Sequence, residues 1–95
     1  GQVPLDPAGT LVGDDIAAQT RRCLENIAAI LAEAGLGLAD VAKTTVYMTD
    51  LGEFSAMNAA YAEGFAAHTP ARATVGVAAL PAGARVEIEA IAVRT

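Results

Sequence analysis

An α/β layer, with two helices covering one face of a small sheet, is the fold class this sequence predicts, and three patterns predict it. Apolar residues recur at helical spacing from Ile16 to Ala34 and again from Phe54 to Phe65. Three runs rich in β-branched residues, 41–49, 72–79 and 85–93, alternate with a period of two. The 95 residues allow one domain, taken as 1–95, and so short a chain buries only about 60–65% of its unfolded surface. Aromatic residues make up 4% of the chain against 54% hydrophobic, so its apolar mass is small side chains. An oligomer is therefore expected to complete the burial.

Residues 1–13 hold Pro4, Pro7, Gly9 and Gly13 and read as an ordered loop. From Asp14 onward the stripe Ile16, Thr20, Cys23, Leu24, Ile27, Ile30, Leu31 and Ala34 predicts an amphipathic helix of about five turns. Asp14 or Asp15 is placed to cap its start, and Gly35 to end it with a left-handed residue. Residues 41–49 predict a strand with Ala42, Val46 and Met48 on one side and Lys43, Thr45 and Tyr47 on the other. Asp50 and Glu53 have the spacing of a capping box. The second helix follows them, carries Phe54, Met57, Asn58, Tyr61 and Phe65, and runs up to His68 before Thr69-Pro70.

The last two runs are joined by Leu80-Pro81-Ala82-Gly83-Ala84 and are expected to be neighbouring strands. In the final run Val86, Ile88, Ala90 and Ala92 are expected to face the helices. The opposite side mixes Arg85, Glu87 and Glu89 with Ile91 and Val93, and the same mixture recurs at Lys43, Thr45 and Tyr47. A merely wetted face would be more uniformly polar, so this one is expected to pack against other copies of the chain.

Eleven acidic and six basic side chains leave a net charge of −5, with Lys43 the single lysine, which argues against a nucleic-acid partner. Cys23 is the single cysteine and has no internal disulfide partner, so a reducing, cytoplasmic setting is expected. Charges interrupt every apolar run, so no membrane partner is expected. No Cys/His cluster has metal-ligand spacing and no glycine pattern forms a nucleotide fingerprint, so neither a metal nor a cofactor is expected.

Chemistry is expected of few residues. Arg72 opens a strand just after Thr69-Pro70-Ala71, where its planar fork suits a carboxylate. If neighbouring strands show Arg72 and Glu87 on one sheet face, the pair holds a carboxylate-bearing small molecule and a water, with Glu87 as general base. The same spacing also fits a purely structural ion pair between them. Asn58 either bonds backbone or points into a pocket. Cys23, on the apolar stripe, reads as a small buried hydrophobe, and His68 as a solvated helix end that complements the dipole.

Several stretches together resemble one family. They are Gly1-Gln2-Val3-Pro4, Gln19-Thr20-Arg21 with Leu24-Glu25-Asn26, Val41-Ala42-Lys43-Thr44-Thr45-Val46, Asn58-Ala59-Ala60-Tyr61, Pro70-Ala71-Arg72, Leu80-Pro81 and Val86-Glu87-Ile88-Glu89-Ala90. Over essentially the whole chain they resemble the RidA (YjgF) family of reactive intermediate deaminases. The resemblance implies a chorismate-mutase-like sheet with two helices on one face, assembled as a homotrimer with clefts between subunits. It also implies cofactor-independent hydrolysis of 2-imino acids to 2-keto acids and ammonia. By motif match, Arg72 would bind the substrate carboxylate, Glu87 would direct water, and Thr74, Asn58 and Gly1 would line the cleft. The family carries further N-terminal strands, so the resemblance implies a domain shortened at that end. Gly76 and Ala79 stand where many members carry Glu and Arg. Two other functions are kept beside the deaminase: a ligand-binding trimer without turnover, and an endoribonuclease or translation inhibitor, which the acidic charge disfavours.

Overall fold

A computed structural model describes residues 1–94 and shows the mixed α/β architecture that the sequence predicts. The order is α1 (Ile16–Glu33), β1 (Val41–Met48), α2 (Phe54–Phe65), β2 (Ala71–Gly76) and β3 (Val86–Ala92). Short 3-10 turns at Leu38–Asp40, Leu51–Glu53 and Pro81–Gly83 lead into β1, α2 and β3.

Asp15 caps α1 by accepting from the Ala18 N–H at 2.8 Å, which satisfies one of the donors a helix start leaves free. At the other end Gly35 takes φ +74, and the Leu36 N–H reaches back to the Leu31 carbonyl at 2.8 Å. This left-handed termination is the one the glycine was expected to supply. Ile16, Cys23, Leu24 and Ile27 are buried, whereas Ile30, expected on the same stripe, is 52% exposed. The loop ahead of α1 is stapled to it: Asn26 Nδ2 donates to the Val3 and Leu5 carbonyls, and Arg22 Nε also donates to Leu5. Buried Gln19 donates to the Gly13 carbonyl and accepts from the Arg85 N–H, so neither end of its amide is left unpaired.

The sheet order is β2-β1-β3, with β1 parallel to β2 and antiparallel to β3. The expectation that the last two strands are neighbours is therefore corrected, because β1 lies between them. The β1–α2–β2 segment is a parallel crossover, which returns the chain as an edge strand on one side of β1 and leaves the other side for β3. Both later strands are then tied to the same end of β1. The Val77 N–H donates to the Met48 carbonyl at 2.8 Å, and the Thr49 N–H donates to Arg85 at 3.2 Å. The 3-10 turn at Pro81–Gly83 thus carries the chain past the end of β1 to its free side.

Within β1 a register shift between Val41 and Lys43 changes which residue faces inward. Val41 is 1% exposed and Ala42 lies outside, opposite to the expected placing of Ala42, because the bulge interrupts strict alternation. Beyond it Thr44, Val46 and Met48 point to the helices, while Lys43, Thr45 and Tyr47 occupy the outer face. Val86 and Ile88 complete the inner face, and fully burying an aliphatic side chain of this kind contributes about 1.5–3 kcal/mol.

The entry to α2 also departs from expectation. Asp50 accepts from the Gly52 N–H at 2.8 Å and heads the 3-10 turn, while Glu53 turns to Arg85 at 3.1 Å, so no capping box forms. α2 ends at Phe65 rather than His68, since Ala66 takes φ 54 and ψ −121 and breaks the helix there.

Candidate active site

The residues expected to carry chemistry fall into two groups on opposite faces of the sheet. Paired residues on neighbouring strands share a face. Arg72 pairs with Thr44, which points to the helices, and Glu87 pairs with Tyr47, which points away from them. The expectation that Arg72 and Glu87 share a face is corrected by this register. A structural ion pair between them within one chain is excluded by the same geometry. A single chain does not focus both groups on one guest.

The first group is built on β2 and α2. The helix presents Phe54, Asn58 and Tyr61 on one stripe, at spacings of four and three residues. Arg72 Nη1 donates to Asn58 Oδ1 at 2.6 Å, so Asn58 turns to the pocket rather than to backbone. The guanidinium carbon lies 4.7 Å from the Tyr61 ring centroid and 5.3 Å from that of Phe54. Thr74 stands two residues along β2, opposite Val46 and therefore on the same face as Arg72. Arg72 stands at a cleft of about 290 Å³ walled by Asn58, Tyr61, Phe65, Ala66 and Pro70. A half-buried guanidinium bonded to a neutral amide receives no counter-charge from that partner and has unspent donors, a pairing surface for a planar anion.

The second group is built on β3 and the N-terminal segment. Gln2 exchanges both backbone hydrogen bonds with Ile88, at 2.7 and 2.9 Å, and this bridge sets Gly1 beside Glu87. A Cβ added at Gly1 would meet Glu87 Oε2, the free end of a flexible side chain, and displace that carboxylate. Glu87 is half-buried there, a carboxylate able to accept a proton or orient a water.

Sequence reasoning passed over Tyr61, Phe54 and Thr44 as parts of a site. Phe54 and Tyr61 were readable as the aromatic neighbours of Asn58 on one helix stripe, but nothing local ties them to a strand later in the chain. His68 departs from its expectation as a solvated helix end. It is half-buried at the cleft, with Nε2 2.6 Å from the Val41 carbonyl, because the turn at Ala66 folds it back onto β1. A carbonyl only accepts, so Nε2 carries the proton. Cys23 is fully buried, as its place on the stripe predicts, and burial pushes its thiol up to about 12. Among the described residues no group of His, Cys, Asp or Glu is placed to hold a metal ion, and no helix is long and apolar enough to cross a membrane.

Comparison with known proteins places this geometry in a family. The model of the family described as Endoribonuclease L-PSP matches residues 1–94. The chain is 48% identical over 97 residues to the 2-iminobutanoate/2-iminopropanoate deaminase of Salmonella typhimurium, spanning 99% of this chain and 76% of that protein. It is 50% identical over 94 residues to Protein DfrA of Myxococcus xanthus, spanning 98% of this chain and 72% of that one. The crystal structure of E. coli TdcF with bound serine matches at a TM-score of 0.93 and 43% identity, over 100% of this chain and 77% of that chain.

Proposed function

The chain belongs to the Endoribonuclease L-PSP family, the RidA (YjgF) family its motifs resemble, and from this we propose that it hydrolyses 2-imino acids to 2-keto acids and ammonia at a site shared between copies. The observation that carries the proposal is the Arg72 guanidinium, held at a cleft by Asn58 and two aromatic rings, with no acid bonded to it among the described residues. A 2-imino acid brings the carboxylate that such a fork accepts. The serine in the TdcF structure is a carboxylate-bearing small molecule as well, which fits this substrate class.

Water is the second reactant. Glu87 of a neighbouring copy accepts a proton from water as its oxygen bonds to the imine carbon, and the C=N electron pair takes up a proton at nitrogen. The carbinolamine then collapses: Glu87 passes its proton to the amine nitrogen, the C–N bond breaks with its electron pair leaving on ammonia, and the hydroxyl proton returns to Glu87 as the keto group forms. The proton taken up at nitrogen in the first step comes from solvent and is given back to it by Glu87. Gly1 gives the carboxylate room to approach. Because the two groups lie on opposite faces of one chain, the outer face of one copy must meet the β2 edge of another, and a homotrimer closes such heterologous contacts into a ring. An RNA substrate finds no support in a chain of net charge −5 with one lysine.

Complementation tests the shared site. Arg72→Ala and Glu87→Gln, each inactive alone with freshly generated 2-iminobutanoate, are expected to regain about a quarter of wild-type activity when unfolded together and refolded at equal amounts, as random assortment dictates. Wild-type rates for either variant alone, or no recovery on mixing, would overturn the proposal.

A further inference from the structure

The geometry points to Tyr61, pinned by Thr44, as a positioning residue that sets the orientation of the Arg72 fork; this rests on the assignment of Arg72 as the carboxylate anchor. A bidentate contact needs the plane and the edge of a guanidinium to be fixed, and a long side chain on an edge strand does not fix them by itself. The Tyr61 ring lies 4.7 Å from the guanidinium carbon and Asn58 takes one Nη1 donor at 2.6 Å. A ring set over the guanidinium carbon accepts no conventional hydrogen bond from it and Asn58 takes one Nη1 donor, so the other donors remain for an anion.

The ring is itself immobilised. Its hydroxyl lies 2.7 Å from Thr44 Oγ1, with Tyr61 6% and Thr44 1% exposed, and the ring also meets Phe65, tilted at a centroid distance of 4.8 Å. Thr44 pairs with Arg72 across β1 and β2, so the contacts close a loop from strand to helix to strand. Two buried hydroxyls bonded to each other add little to stability that an apolar pair of the same shape would not. What they add is direction, because that bond fixes where the ring presents its face.

Binding of 2-oxobutanoate, a keto acid product, measured by calorimetry on the folded oligomer, tests this beside turnover of 2-iminobutanoate. Tyr61→Leu is expected to weaken binding and raise KM by roughly five- to thirty-fold while kcat changes less than about three-fold. Tyr61→Phe keeps the stacked ring and is expected to restore most of the affinity. The double variant Tyr61→Phe/Thr44→Val keeps the packing and stays folded, with a loss of about two- to five-fold that locates the hydroxyl pair's share. In an Arg72→Ala background Tyr61→Leu is expected to add nothing, since it acts through the guanidinium. Wild-type affinity in Tyr61→Leu, or an additive loss in the Arg72→Ala background, would overturn the inference. Should Tyr61→Leu not fold, wild-type affinity in the double variant overturns it instead. Wild-type affinity in Arg72→Ala would mark the failure of the anchor itself, a separate result.

Discussion

Two arginines show how surroundings decide the use of one side chain. Arg85 pairs with Glu53 at 3.1 Å at the surface, its side chain 46% exposed, and such a pair contributes little. Arg72 has aromatic faces and a neutral amide around it, so its charge is left for a guest. Cys23 illustrates the opposite fate, a reactive group made inert by burial. Its thiol stays protonated up to about 12 in the folded chain, while in the unfolded chain it ionises near the ordinary 9.0. Raised folded affinity for the proton means that this stabilising contribution is complete below about pH 9 and is lost as pH rises toward 12. The denaturation midpoint of wild type is therefore expected to fall above about pH 9 more steeply than that of Cys23→Ala. Equal slopes in the two proteins would contradict the assignment.

At the scale of elements, α1 was readable almost completely, since its stripe, its Asp15 cap and its Gly35 terminator are all local signals. The end of α2 was less so. Proline at position 70 predicted a stop, but the turn came earlier, at Ala66, where φ 54 and ψ −121 strain any residue with a Cβ. Ala66→Gly is expected to relieve that strain and raise stability by about 1 kcal/mol, a Tm increase of about 4–8 °C. A lowered Tm would show that the turn is comfortable for alanine. The β1 bulge was hidden for a related reason: alternation in sequence assumes an unbroken pleat, and one slipped residue exchanged the places of Val41 and Ala42.

At the scale of the whole molecule, the outer sheet face carries Ile91 at 56% and Val75 at 40% exposure among Lys43, Thr45, Tyr47 and Glu87. It is the face the proposed assembly covers. If the proposed assembly forms, Ile91→Glu is expected to sediment as a monomer where wild type sediments as an oligomer, lose turnover and leave far-UV circular dichroism unchanged. A wild-type monomer that turns over 2-iminobutanoate would end the shared-site model. Of the five candidate residues, Arg72, Glu87 and Asn58 were named from residue type and placement and again by motif match, and Gly1 and Thr74 by motif match alone. Their division into Arg72 with Asn58 and Thr74, and Glu87 with Gly1, was not readable. Amino-acid order alone predicted the helices and strands, the inner faces of most of them and the residue proposed as the anchor, since each of these rests on short-range periodicity or residue type. Strand order and register emerged only in the folded sheet, because pairing joins residues far apart in the chain and depends on the crossover through α2. That pairing turned two neighbours on paper into opposite sides of one layer.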